Sequence, residues 1–150
     1  MLKDGEVMRA LTLWQPWASL IVFGQKRVEN RPWKLPYSRV GRPFAIHAGL
    51  RYDDEAAKQF PDDVAALGHL GRMHGAIIGT ARAISCHGNR ADFPVLQRRW
   101  FFGPFGWMLD RIWYVDPIVC RGREKFWTIP EHAIGRIPEH LRAAEFEPAV

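Results

Sequence analysis

Apolar and polar positions along this chain change period several times, and each change marks an element. Met8 to Leu13 alternates weakly over strand-compatible residues and predicts a first strand. Trp17, Leu20, Ile21 and Gly24 then recur at helical spacing. Pro16 suits the first position of that helix, Gln15 is an imperfect cap, and Gly24 closes the helix. Arg27 to Trp33 reads as a second strand, which Pro32 confines to an edge or a strand end. Pro43 to Ala48 predicts a third strand. Asp53 to Met73 is the most helical stretch, broken at Phe60-Pro61, and Asp62 and Asp63 suit the first turn after the break.

Beyond that, Gly75 to His87 is a nearly continuous β-rich run that ends in a Gly88-Asn89 turn. Phe93 to Trp100 predicts a short helix, and Trp107 to Cys120 one or two strands bent at Asp116-Pro117. Phe126 to Ile129 predicts a last short strand and Pro130 to Arg142 a terminal helix or pair of turns. Strands of mixed spacing with two to four helices predict an α+β domain, a small β-barrel flanked by helices rather than a βαβ-wound sheet.

Composition narrows the class. The 150 residues fit one domain, and an apolar fraction of 47% supports a sizeable core. The longest apolar candidate, Leu11 to Gly24, contains Gln15, Pro16 and Ser19, so neither a membrane span nor a secretory leader is expected and the reading is cytoplasmic. Cys86 and Cys120 read as two buried thiols. Six histidines without HxxxH or CxxC spacing predict neither a metal site nor a cofactor.

The net charge of +5 is carried mostly by arginine, and its distribution matters more than its size. Residues 24–51 hold seven basic side chains against the single acid Glu29, whereas residues 52–71 hold five acids against Lys58. A basic block rich in guanidinium forks suits phosphate recognition, and a solvated face explains the same charge.

Within that block, Lys26, Glu29 and Arg31 form the sharpest constellation. In a strand beginning at residue 27, Arg27, Glu29 and Arg31 share one face and Val28 and Asn30 the other; Lys26 joins the Glu29 side only if it still lies in the turn after Gly24, which the sequence does not decide. A carboxylate between two cations is held ionised; it can orient a donor group or, partly desolvated, act as a general base. A structural ion pair closing a helix-to-strand corner accounts for the same residues. Trp17 and Trp33 flank the motif and are candidate stacking surfaces for a base, most of the other tryptophans being expected in the core. The loop Trp100-Phe-Phe-Gly-Pro-Phe-Gly-Trp107 is expected as a pocket wall or a barrel plug, and His47 as a donor or proton shuttle.

Leu13-Trp-Gln-Pro-Trp-Ala18 followed by Gly24-x-Lys26-x-x-Glu29-x-Arg31 resembles the ASCH domain, a branch of the PUA superfamily. Arg31-Pro-Trp33, Ile46-His-Ala48, Phe105-Gly-Trp107 and the Cys-Arg-Gly end of Pro117 to Gly122 look like its bacterial and phage members. The resemblance spans roughly residues 8–130 of a single domain covering 1–150. It implies a small PUA-like barrel with helices beside it, and a cleft lined by the motif residues that binds RNA or a modified nucleoside. With the residues singled out above, the candidate binding set is Gln15, Trp17, Lys26, Glu29, Arg31, Trp33 and His47, and DNA is a possible partner.

One branch of the family deacetylates acetylcytidine with a motif lysine, a threonine and a downstream glutamate. Lys26 matches that lysine, Glu29 stands where that branch has its threonine, and the downstream glutamate aligns with no acid here. The alternative to simple binding is therefore an amidohydrolase acting on an N-acylated pyrimidine nucleoside, in which Glu29 activates water and Lys26 or Arg31 stabilises the oxyanion, or a ribonuclease.

Overall fold

The computed structural model describes residues 7–142. Six strands, β1 (Arg9–Gln15), β2 (Val28–Arg31), β3 (Pro43–Tyr52), β4 (Ala76–His87), β5 (Phe105–Val119) and β6 (Phe126–Thr128), form one sheet in the order β2-β5-β4-β3-β1-β6. The β1/β3 pair is parallel and the other neighbours are antiparallel. Five short α-helices accompany it among the described residues: α1 (Trp17–Val22), α2 (Glu55–Gln59), α3 (Pro61–Leu67), α4 (Glu131–Ile134) and α5 (Glu139–Arg142). That exceeds the two to four expected because Phe60-Pro61 divides one helical stretch and Pro138 the other.

The α+β class holds, but the expected barrel is an open sheet that curls. Arg31 Nη2 on edge strand β2 donates to the Thr12 carbonyl of β1 at 3.0 Å, and Trp107 of β5 stacks on Phe126 of β6 with ring centroids 5.7 Å apart. In a flat sheet, β2 and β1 would lie four strand spacings apart, about 19 Å. Three register shifts in the β4/β5 pairing, at Ile77/Gly79, Thr80/Arg82 and Ala83/Ser85, provide the bending, since each bulge sharpens the local twist.

The inside of the curl holds Leu11, Leu13, Phe44, Ile46, Trp107 and Leu109. Met8, Ala10, Ile77, Ile118 and Trp127 form a second cluster with Ala133, Ile137 and Leu141 of the C-terminal helical segment. A third, of Leu20, Val28, Phe60, Leu67, Phe93, Trp100 and Phe101, seats α1 and α3 against β2. Full burial of Leu20 and Ile21 contributes about 1.5–3 kcal/mol each, enough to anchor a six-residue helix that would not stand alone. Cys120 is buried and Cys86 half-buried, and both are free thiols. Among the described residues no helix is long and apolar enough to cross a membrane.

Candidate functional site

The corner between α1 and β2 builds the site. Phe23 caps α1, and the Lys26 amide folds back onto the Leu20 carbonyl at 3.2 Å. A Cβ on Gly24 would stand 2.7 Å from that same carbonyl oxygen, so the close approach, more than a helix cap, demands glycine there. The strand begins at Val28, one residue later than expected. Arg27 consequently leaves the Glu29 face and donates through Nη1 to the carbonyls of Ile21, Gly24 and Lys26, satisfying the open end of α1.

Lys26 turns inward instead. It is 1% exposed, donates to the Val28 carbonyl, and holds Nζ 3.6 Å from Glu29 Oε1. Desolvation lowers its pKa; Glu29 opposes that shift and Arg31 adds to it. Two residues further along the same strand face, Arg31 places Nε and Nη2 3.1 and 3.0 Å from Glu29 Oε2. Arg31 also lies over the Trp33 ring at 5.4 Å, and Lys26 over the Trp17 ring at 5.6 Å.

Two small cavities meet here. One of about 210 Å³ is lined by Thr12, Leu13, Trp14, Trp17, Glu29, Asn30 and Arg31. The other, about 160 Å³, is lined by Trp17, Lys26, Glu29, Asn30, Asp53 and Phe102. Each is below the roughly 300 Å³ at which small-molecule sites begin, and Trp17, Glu29 and Asn30 line both.

The predicted residues divide. Trp17, Lys26, Glu29 and Arg31 come together around the cleft. Gln15 is fully buried, and its amide is spent inside the protein: Nε2 donates to Ser19 Oγ and the Met73 carbonyl, while Oε1 accepts from the Ser19 amide. The helix starts one residue later than expected, with Pro16 and not Gln15 at the cap position, and Gln15 reaches the first turn from one residue further out through its bond to the Ser19 amide. Trp33 lies beneath Arg31 and meets Trp107 edge-on at 6.4 Å, on the core side.

His47 does not join the motif. Its Nε2 faces the Cys120 carbonyl at 2.8 Å and its Nδ1 faces Thr12 Oγ1 at 3.2 Å, which itself accepts from Trp127 Nε1. A carbonyl can only accept, so Nε2 carries the proton and the neutral ring takes the threonine hydroxyl on Nδ1. Burial lowers the His47 pKa, with the Cys120 carbonyl opposing more weakly.

The basic block is not one surface either. Arg39 packs over Phe126 at 5.1 Å, and burial, then Arg9 and Arg42, pull it down to about 10.

Three contributors escaped sequence reasoning. Asp53 accepts from Trp17 Nε1 at 2.9 Å and so fixes the aromatic wall; it was read only as part of an acidic block. Asn30, an unassigned position inside the motif, donates to the Trp100 carbonyl and accepts from the amides of Phe102 and Gly103. It thereby holds the aromatic loop as a wall, with Phe102 5.6 Å from Trp17. Thr12 supplies the carbonyl that bonds Arg31, a contact that depends on the curl of the sheet.

A family model for the ASCH domain matches residues 11–99, a stretch containing Trp17, Lys26, Glu29, Arg31 and Asp53. The chain belongs to the ASCH domain family. Among solved structures, this ASCH domain is similar to ASCH from Zymomonas mobilis, with a TM-score of 0.53 at 16% identity over 89% of this chain and 94% of that chain. A serine-to-alanine variant of the Zymomonas mobilis protein matches at 0.47 and 18% identity, over 77% of this chain and 75% of that one. The first likeness supports the α+β fold. No curated protein matches the chain in sequence.

Proposed function

We propose that this ASCH domain binds RNA by taking one unpaired base, unmodified or modified, into the cleft beside Trp17. The single observation that carries this reading is the division of labour at Glu29. Its Oε2 is engaged by Arg31, while Oε1 has Lys26 Nζ at 3.6 Å, beyond hydrogen-bond length, in a cleft with an aromatic wall.

A carboxylate oxygen beside guanidinium and ammonium donors complements a base edge that offers an amino group next to an acceptor. Cytosine has that pattern, and carboxylates accept from its exocyclic amine. Trp17 and Phe102 provide flat surfaces whose stacking tolerates any base, so the polar groups set the preference. Gln15 and Trp33 support the cleft from behind, and His47 stands outside it.

The experiment is calorimetric titration with cytidine 5′-monophosphate and with a cytidine-containing RNA heptamer. Binding is expected for the wild type and a loss of at least 10-fold for Arg31→Ala. Unchanged affinity in that variant removes the site.

One observation favours a second reading, N-deacylation of a modified cytidine: a wholly buried lysine with a lowered pKa next to a carboxylate is the composition of a reaction site. Glu29 would take a proton from water, the hydroxide would add to the acyl carbon, and Lys26 would stabilise the oxyanion before the amine leaves protonated. Cytidine released from acetylcytidine by wild type and not by Glu29→Gln supports it; an inert wild type sinks it. Labelled single-stranded RNA in the same assay tests for cleavage.

A further inference from the structure

A second concavity lies on the other side of Trp14 from the motif. Its volume is about 960 Å³, several times that of either motif cavity, and its walls include Trp14, Leu50, Arg51, Val119, Arg121, Arg123 and Glu124, with Thr12, His47 and Gly122 also lining it. Trp14 and Thr12 line the 210 Å³ motif cavity as well, so the two spaces share a wall.

The groove is shaped by a backbone approach. A Cβ on Gly122 would stand 2.6 Å from both His47 Cε1 and Thr12 Oγ1, so the segment after Cys120 lies directly on the β1/β3 surface with no side chain of its own at that point. The Cys120 carbonyl bonded to His47 Nε2 pins the segment there. The groove walls leave large apolar groups in water: Trp14 is 47% exposed, Leu50 82% and Val119 75%. Around them are three exposed guanidinium groups and one carboxylate, and Arg51 lies 5.3 Å from the Trp14 ring. Of the residues lining the groove, only Trp14 and Thr12 also line a motif cavity.

Flat and apolar groups interleaved with arginines match the chemistry of a nucleic-acid strand whose bases are unpaired. Stacking takes the bases, and cations follow the phosphates. A duplex keeps its bases inside and would leave Leu50, Val119 and Trp14 without partners. Phosphate binding alone gives Glu124 no role, whereas a ribose 2′-hydroxyl gives its carboxylate a donor, a group DNA lacks.

We infer that this groove carries the nucleotides flanking the base held in the cleft, so that the ligand is a single-stranded RNA of several nucleotides. Trp14 stacks on the neighbouring base and Arg51, Arg121 and Arg123 follow the phosphates. This rests on the proposed RNA-binding reading of the motif cleft and goes further by assigning a second subsite and a polymeric ligand.

The test compares cytidine 5′-monophosphate, a cytidine-centred RNA heptamer and the DNA heptamer of the same sequence, on the full chain. The RNA heptamer is expected to bind at least 30-fold tighter than the monophosphate. Arg121→Ala with Arg123→Ala is expected to weaken the heptamer about 10-fold, leave the monophosphate unchanged, and lower the salt dependence of log K by about 1.4, two phosphate contacts on a single strand. Trp14→Ala is expected to weaken the heptamer about 10-fold, the scale of a lost base stack. Glu124→Ala is expected to narrow the preference for RNA over DNA.

A heptamer that binds no tighter than the monophosphate, or that ignores the double arginine variant, overturns the groove assignment even when Arg31→Ala abolishes monophosphate binding. DNA binding as tight as RNA overturns the choice of RNA. Conversely, a monophosphate that ignores Arg31→Ala defeats the cleft reading, whereas loss of heptamer affinity in the groove variants alone leaves the groove as the binding surface. Trp14, Arg121, Arg123 and Glu124 are exposed, and unchanged melting temperatures in their variants establish that each loss in the groove concerns binding.

Discussion

Arg31 takes one oxygen of Glu29 and leaves the other beside Lys26: its Nε and Nη2 both converge on Oε2, at 3.1 and 3.0 Å, while Oε1 stands 3.6 Å from Lys26 Nζ. The same guanidinium reaches the Thr12 carbonyl across the curl of the sheet. One side chain therefore orients the acid and ties strand β2 to strand β1.

Breaking this pair is expected to cost both stability and ligand. Glu29→Gln keeps the volume but leaves the guanidinium of Arg31 largely buried without its counter-charge, a loss of about 3 kcal/mol. A denaturant midpoint equal to wild type would show that the pair contributes nothing to folding.

Lys26 separates folding from function. Lys26→Met fills the same space and leaves Glu29 its partner Arg31, so stability is expected to fall less than in Glu29→Gln while affinity for cytidine 5′-monophosphate falls. Calorimetry and thermal melting on one preparation check both halves; full retention of affinity contradicts a ligand role for the ammonium.

The two candidate tryptophans are expected to behave differently. Trp17→Ala removes the cleft wall and lowers affinity about 10-fold or more. Trp33 packs against buried Trp107, so Trp33→Ala is expected to lower stability by about 2 kcal/mol with a smaller effect on binding. Equal losses of affinity in the two variants would place Trp33 at the ligand after all.

Asn30 makes three hydrogen bonds to the loop at Trp100, Phe102 and Gly103. Asn30→Ala is expected to destabilise the protein by about 1–2 kcal/mol and to speed hydrogen exchange at the amides of Phe102 and Gly103. Exchange at those amides as slow as in wild type would mean that something else holds the loop.

His47 predicts a pH dependence of stability. Burial lowers its pKa from 6.5, so as pH falls the unfolded chain takes up this proton before the folded protein does. The stability it contributes is complete above pH 6.5 and declines as pH drops toward the lowered folded value. Urea midpoints between about pH 7.5 and pH 5.5 are expected to fall in wild type and to fall less in His47→Gln. Parallel decline in both proteins assigns the effect to other groups.

The secondary structure was largely legible because each element carries its own period. The run Pro43 to Ala48, the break at Phe60-Pro61 and the edge strand before Pro32 all follow from residues within a few positions of one another. The parallel β1/β3 pair, the curl and the open sheet edge were not legible, since bulges in β4/β5 arise from pairing between residues more than 20 positions apart.

In the site, the two-residue strand period was enough to put Glu29 and Arg31 on one face, whereas the placement of Lys26 beside them and of Arg27 away from them depended on where the turn ends and the strand begins. That Gln15 would turn inward, that His47 would bond to Cys120 far along the chain, and that Asp53 and Phe102 would wall the cleft depended on which segments the folded sheet brings into contact. Sequence alone determined the chemistry available at the corner; only the tertiary structure decided which of those groups faces a cavity, because the curl of six strands selects the partners that burial will satisfy.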